Sequence, residues 1–410
     1  MRKQQRVVVT GMGVCAPLGT SLDEFWANGL RGTPCISPIT NITVDKGFTR
    51  VAAMVRDFEP ESIYRVGQRP PEDDRVFLMA KHCITGALQN AGLSEPDHLA
   101  ACGLFISSAI GQMGSMESLF LCEPGERYRL LETFSFGALV GKLARAAGLG
   151  GGHMLMPTGC VGGCDAMSYG AAMIRAGRCG RVVVGAAEAP ITPLVVAAFG
   201  RIRANSTRPC DPKEASCPFD KRRDGFVLAE GAAMFVLESE AAARERGASI
   251  YAEIGGSGSV NNCQHMTDIH PEGDAIAQAC RLALGQARLD PESIDFINAH
   301  GSSTPQNDVA ESAAFAHVFG RTLADIPVTS LKSQCGHALA AANAIEMVST
   351  IQSIRQSRIP PTINLEQQDP ACRVNVVTGR SESHRIRHAL KVSSGFSGIH
   401  TALVLSEYQA

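Results

Sequence analysis

Residues 153–174 constrain this chain more than any other stretch. An apolar run at 153–156 ends in Pro157-Thr158-Gly159-Cys160-Val161-Gly162-Gly163, and a small-residue helical pattern then runs to 174. A strand, a glycine-bounded turn, a thiol and a helix together make a nucleophile elbow, in which the turn lifts one side chain clear of the sheet edge. The helix start offers partial positive charge and free N–H groups, which are expected to favour a thiolate at Cys160. Cys160 and Cys164 also form a C-x3-C pair, but without a second pair at zinc spacing it predicts no metal site. Two downstream pairs, His300-Gly301 and Gly336-His337, could complete a site for thioester chemistry.

Strand-like and helix-like runs alternate along the whole chain. Strands are expected at 7–11, 103–107, 182–185, 233–238, 251–255, 296–299 and 402–406. Helices are expected at 73–91, 164–176, 239–246, 274–287, 309–319 and 338–353. This alternation predicts an α/β protein with layered sheets. Gly and Ala are abundant and aromatics only 5% of the chain, which suits close packing of helices on a sheet. The segment 250–260 echoes 7–14, an apolar strand followed by Gly-x-Gly, and hints at two related halves, 1–248 and 249–410.

The net charge of −2 supplies no basic field for nucleic acid. The basic start followed by Val7-Val8-Val9 reads as a first buried strand and not a leader, because Gly11, Gly13 and Pro17 interrupt it. The apolar stretch 182–200 carries Glu188, Pro190 and Pro193, so no membrane span is expected. The fourteen scattered cysteines fit small buried hydrophobes in a reducing compartment, and a cytoplasmic location is expected.

Gly11-Met12-Gly13-Val14-Cys15-Ala16 fits the G-x-G-x-x-A dinucleotide fingerprint, which should open a helix directly. Pro17-Leu18-Gly19 intervenes, and the next helix start is expected at Ser21-Leu22-Asp23-Glu24, so nicotinamide binding is not predicted. His300 would emerge at the carboxyl end of a strand, where α/β sheets bind ligands. Asp308 and Glu311 follow it and could be ordinary charges at a helix start. Lys332 and His337 bracket a turn before an apolar helix, and buried charge there needs a partner, for which Glu346 is the candidate. The glycines of Val392-Ser393-Ser394-Gly395-Phe396-Ser397-Gly398 allow backbone to approach the site, where an N–H could join that of Cys160 in an oxyanion hole.

The order Cys160, His300, His337, with Cys217-Pro218-Phe219-Asp220, Arg223-Asp224-Gly225-Phe226-Val227 and Glu230-Gly231-Ala232, resembles the β-ketoacyl synthase family of the thiolase superfamily. Pro157-Thr158-Gly159-Cys160, Ala189-Pro190-Ile191-Thr192-Pro193, Gln306-Asn307-Asp308 and Ser393-Ser394-Gly395-Phe396 are most similar to the ketosynthase α subunit of type II polyketide synthases. The resemblance implies a thiolase fold, two similar βαβ-rich halves forming a layered α-β-α-β-α sandwich. It implies a decarboxylative Claisen condensation of malonyl units, delivered on the phosphopantetheine of an acyl carrier protein, with a chain held on Cys160. His300 and His337 would stabilise the enolate and Lys332 would organise the site by its charge. The N–H groups of Cys160 and Phe396 would form the oxyanion hole. Ser302 and Thr304 would meet the pantetheine amides, Phe396 would gate the acyl pocket, and Asp308, Glu311 and Glu346 would support the site. No metal or bound cofactor is implied.

The implied partners are the carrier protein and a chain-length factor (KSβ) in a heterodimer; neither nucleic acid nor membrane is implied. Arg65, Arg69, Arg201, Arg203 and Arg208 are the candidate docking residues. Ser397 stands where the family usually has glycine, and Ala340 and Asn343 replace glycines that often follow the Gly-His pair. Two other readings stay open: a fatty-acid elongating 3-oxoacyl synthase working as a homodimer, and a non-catalytic carrier-binding subunit. The retained Cys160, His300, Lys332 and His337 speak against the latter.

Overall fold

A computed structural model of the chain describes residues 5–63, 65, 73–119 and 135–410. The first strand, β1 (Val7–Cys15), is buried at every position, so layers must cover both of its faces. Four strands complete its half: β2 (Gly103–Ser107), β3 (His153–Met156), β4 (Arg181–Glu188) and β5 (Gly231–Ser239). Five more build the second: β6 (Ala252–Asn261), β7 (Phe296–Asn298), β8 (Pro327–Thr329), β9 (His388–Ser394) and β10 (Ile399–Ser406). The pairing order is β3-β2-β4-β5-β1 in one half and β8-β7-β9-β10-β6 in the other, with the short strand Asn375–Val376 at the edge beyond β8. In both halves the first two pairings are parallel and the last two antiparallel. The same topology therefore occurs twice. The halves meet where β1 pairs with β6, through Val8 opposite Glu253 and Val9 opposite Ala252.

The helices fill the layers between and outside these strands. Helix α1 (Arg75–Asn90) covers β1 and β5, while α3 (Asp274–Ala287) covers β6 and β10, with α4 (Pro305–Phe319) beyond it. Between the halves lie α2 (Gly162–Arg175) and α5 (Ala340–Gln356), packed on each other. Every residue of α5 from Ala340 to Ile354 is buried, as expected for a helix enclosed on all sides. The layers thus run α-β-α-β-α. None of the helices among the described residues is long and apolar enough to cross a membrane.

The Gly-x-Gly of β1 serves this packing. A Cβ on Gly11 would lie 2.3 Å from the Ala87 carbonyl oxygen, and one on Gly13 would lie 2.1 Å from that of Cys83, both on α1. Gly256 and Gly258 of β6 stand in the same relation to Ala283 and Ala279 of α3, each at 2.3 Å. The echo between 7–14 and 250–260 is therefore one device used twice: a glycine pair that lets a helix backbone settle onto the first strand. After β1 the chain turns between Ala16 and Gly19, and the next helix, Leu22–Arg31, is capped by Ser21, whose hydroxyl accepts from the Glu24 N–H.

Three elements differ from the sequence expectation. Helix Pro193–Arg201 occupies the end of the apolar stretch at 182–200, started by the Thr192 cap and by proline in its first turn. Strand β9 was not expected, because Lys391 interrupts its apolar run. Helix α4 begins at Pro305, ahead of the expected 309, because Thr304 caps it.

Gly258→Val is expected to lower unfolding free energy by about 1–3 kcal/mol through forced separation of β6 and α3. Urea unfolding checks this; an unchanged midpoint would mean the helix moves aside freely.

Candidate active site

Cys160 lies in the single turn Gly159–Val161, directly before α2. Gly159 takes φ +62°, a left-handed value that glycine adopts without strain. The helix begins against α5, and Asn343 of α5 ties the turn down. Its amide Nδ2 donates to the Cys160 carbonyl, and its Oδ1 accepts from the Cys164 N–H at 2.8 Å. Asn343 entered the sequence reading only as a replaced glycine; here it clamps the nucleophile turn.

The thiol differs from the expected thiolate. Burial pushes it up to about 11, against the downward pull of Lys332 and of the Phe396 and Cys160 N–H groups, while Glu188 pushes it further up. Desolvation outweighs the neighbouring positive charge, so the resting group is a neutral thiol. The two N–H groups named for the oxyanion hole both pull the thiol down.

Glu188 went unnoticed as a functional group in the sequence. It ends β4, is fully buried, and receives the Ala109 N–H and the Ser108 hydroxyl (3.2 Å). Burial raises its carboxyl to about 8, so at neutral pH it is largely protonated and adds little negative charge beside Cys160. A lone acid closing an otherwise apolar strand was the available signal.

His300 follows β7, and His337 follows the short helix Lys332–Cys335. Their rings meet edge to face with centroids 5.1 Å apart. The His300 N–H donates to Glu311 Oε1 at 2.6 Å and the Gly301 N–H to Oε2 at 2.8 Å. Glu311 is fully buried and raised to about 7 by burial, so it is no ordinary charge at a helix start. The His337 N–H donates to the Val227 carbonyl at 2.7 Å. Both rings are held well below the ordinary imidazole value, by burial first and then by Lys332. They are therefore neutral, and Nδ1 of each has no hydrogen-bond partner among the described residues. Neutral imidazoles can each offer one N–H to a substrate oxygen.

Lys332 donates from Nζ to the His300 carbonyl at 2.7 Å and to Glu346 Oε1 at 2.5 Å. The structure thus brings Glu346 to the buried lysine as the charge argument required. A second buried lysine, Lys391, lies 2.7 Å from Glu346 Oε2. Sequence reasoning missed it, although a lysine inside an apolar strand was visible.

Phe396 shares one apolar cluster with Cys160, Phe199, Phe226 and Leu339. Ring contacts run from Phe396 to Phe199 (6.2 Å), on to Phe226 (5.4 Å) and to His337 (5.1 Å). This apolar wall joins the thiol to the histidines. Ser397, in place of the expected glycine, has φ +64°, which costs a non-glycine residue roughly 1–2 kcal/mol. Its N–H donates to Met266 O at 2.6 Å and its carbonyl accepts from Asn261 Nδ2 at 2.8 Å, holding it there.

The comparisons with known proteins agree with this geometry. Residues 4–243 match the family described as beta-ketoacyl synthase, N-terminal domain, and residues 251–366 match beta-ketoacyl synthase, C-terminal domain. The chain belongs to the β-ketoacyl synthase family. It is 38% identical to the tetracenomycin polyketide synthase ketoacyl synthase alpha subunit of Streptomyces glaucescens, over 98% of this chain and 97% of that one. Among solved structures it resembles a type II PKS acyl-carrier protein in complex with its ketosynthase bound to the hexaketide. That match has a TM-score of 0.90 at 36% identity and covers 99% of this chain and 100% of the other. The ishigamide ketosynthase/chain length factor matches with a TM-score of 0.89 at 32% identity, over 99% and 100%.

Other residues singled out for this ketosynthase are placed as follows. The Ser302 and Thr304 hydroxyls lie 2.8 Å apart at the start of α4, which Thr304 caps. Asp308 is buried and accepts from the Phe219 N–H at 2.9 Å, with Arg223 at 3.8 Å, so it anchors a loop. Arg65, Arg201 and Arg203 are exposed. Arg208 is half-buried and donates to the Glu214 carbonyl at 2.5 Å. Arg69 lies outside the described residues. No cluster of three or more metal-binding side chains occurs among the described residues.

Two outcomes are expected. Glu346→Ala strands two buried ammonium groups and should cost roughly 3–5 kcal/mol in denaturant unfolding. Glu188, raised in the folded state, binds a proton that the unfolded chain releases near its ordinary value. Its contribution to stability is therefore lost as pH rises from about 4.5 to about 8. Thermal unfolding of Glu188→Gln should show a flatter decline across that range than the wild type, and parallel curves would contradict the assignment.

Proposed function

We propose that this β-ketoacyl synthase is the catalytic α subunit of a type II polyketide synthase. It would condense malonyl units from an acyl carrier protein with a chain held as a thioester on Cys160. The observation that carries this reading is the pair of neutral imidazoles of His300 and His337, with centroids 5.1 Å apart, joined by an apolar wall to the Cys160 thiol.

In the first step the Cys160 sulfur attacks the carrier thioester. The N–H groups of Cys160 and Phe396 hold the oxyanion, a contribution of roughly 3–4 kcal/mol per donor. The carrier thiol leaves and takes the proton. Malonyl carrier protein then binds. Carbon dioxide departs, and the N–H groups of His300 and His337 stabilise the enolate oxygen. The carbanion attacks the Cys160 thioester, a C–C bond forms, and the sulfur leaves. Covalent capture divides one difficult step into two easier ones. Because the resting thiol is neutral, its proton must depart during attack, so nucleophilicity rises only once the substrate is in place.

The apolar cluster that includes Cys160 also holds Met54, Ile63 and Ile191, an apolar surface suited to the growing chain. Substrates arrive on phosphopantetheine, which Ser302 and Thr304 meet, and no bound cofactor takes part. The exposed Arg65, Arg201 and Arg203 are the docking candidates for an acidic carrier. The partner subunit is a chain-length factor, the halves divide at 248/249, and the location is the cytoplasm.

Incubation with malonyl carrier protein and the partner should leave acyl mass on the peptide containing Cys160, extended by repeated unreduced β-keto units. Cys160→Ala should carry none. An adduct that persists in that variant sinks the nucleophile. Single extensions of saturated acyl chains alone would replace this reading with fatty-acid elongation.

A further inference from the structure

Lys391 lies in the middle of β9 and is fully buried. Its ammonium approaches Glu346 Oε2 at 2.7 Å, and donates to the carbonyls of Val392 at 2.8 Å and Ala299 at 3.1 Å. It also reaches Asn298 O at 3.5 Å and Oδ1 at 3.4 Å. Lys332 takes the other Glu346 oxygen and the His300 carbonyl. The carbonyls of three consecutive residues, Asn298, Ala299 and His300, therefore converge on two ammonium groups joined by one carboxylate. On the other side of the turn, Glu311 accepts the N–H groups of His300 and Gly301.

The charges in this cluster do not cancel. One lysine with one glutamate would be neutral, whereas two protonated lysines on one glutamate leave a single positive charge in a closed interior, where burial pulls Lys391 below the ordinary lysine value. An apolar side chain would fill the middle of a strand at far lower desolvation cost. The surplus charge lies next to His300. The charged groups around the two rings are Lys332, Lys391, Glu346, Glu311 and, for His300, also His400; those around Lys391 are Glu346, Lys332 and the Cys164 thiol.

We propose that Lys391 is a positioning residue. It fixes the strand end that carries His300, and its charge, shared through Glu346 with Lys332, keeps both imidazoles as neutral hydrogen-bond donors. Lys391 contributes to holding each ring below its ordinary value, after burial and Lys332. Loss of a positive charge beside an imidazole raises its pKa. The neutral form is lost as pH falls through that pKa, so loss of Lys391 moves the acid limb upward.

The test compares Lys391→Gln, which keeps polar reach without charge, with Lys391→Arg, which keeps charge. Histidine ring titrations are followed by NMR in the full chain, with His300 and His337 assigned from single substitutions. Both rings should titrate well below the ordinary imidazole value in the wild type and in Lys391→Arg. In Lys391→Gln at least one midpoint should rise by about one pH unit. A second readout, which rests on the condensing reading above, is carbon dioxide release from malonyl carrier protein against pH; its acid limb should move upward in Lys391→Gln alone. Superimposable ring titrations in wild type and Lys391→Gln overturn the proposal, as does a lowered rate with an unmoved pH profile. A wild-type protein that releases no carbon dioxide would sink the condensing reading, while the ring titration still judges Lys391.

Discussion

The amide of Asn343 holds the site together. It reaches from the enclosed helix of the second half to the nucleophile turn of the first, donating to Cys160 and accepting from Cys164. The thiol comes from one half, and the two histidines and both lysines come from the other. Their relative position depends on how α2 sits against α5. Small residues make that seat close: a Cβ on Gly163 would lie 2.4 Å from Asn343 Oδ1 and 2.8 Å from the Ala344 N and Cβ. The chemistry depends on this contact as much as on the reacting side chains, because an error of about 1 Å at such a site can cost ~100-fold in rate.

Electrostatics here work by exclusion as well as attraction. The interior holds several ionisable groups, and burial governs most of them. It leaves Cys160 as a thiol, His300 and His337 as neutral rings, and Glu188 largely protonated at neutral pH. In the lysine–glutamate cluster each ammonium has a carboxylate oxygen within 2.7 Å and at least one carbonyl besides, which compensates its burial. A site of neutral donors around one fixed positive cluster suits a reaction whose intermediates are anions.

Much of this was legible in the chain. The elbow at Cys160, the two histidine turns and the need for a partner to Lys332 all followed from residue type and spacing. Glu346 could be singled out because a charge inside an apolar helix needs a reason. Other features depend on pairing across the sheet. Lys391 lies just before the motif read at Val392–Gly398, and only the register of β9 against β7 brings it beside Ala299. Glu311 looked like a helix-start charge until the fold turned it inward beneath His300. The thiolate expectation failed because spacing reveals a helix start but not how thoroughly the thiol is shut off from water.

The repeated topology carries one further consequence. Each half lacks a layer that the other supplies: α2 and α5 each bury a flank on the opposite half's central helix, while the sheets join through only two residue pairs at β1 and β6. Cut apart, each half would expose the inner face of its sheet and one side of an apolar helix to water. The two repeats are therefore not autonomous modules. They form one cooperative folding unit, which loses its catalytic pocket in the same transition that separates its halves.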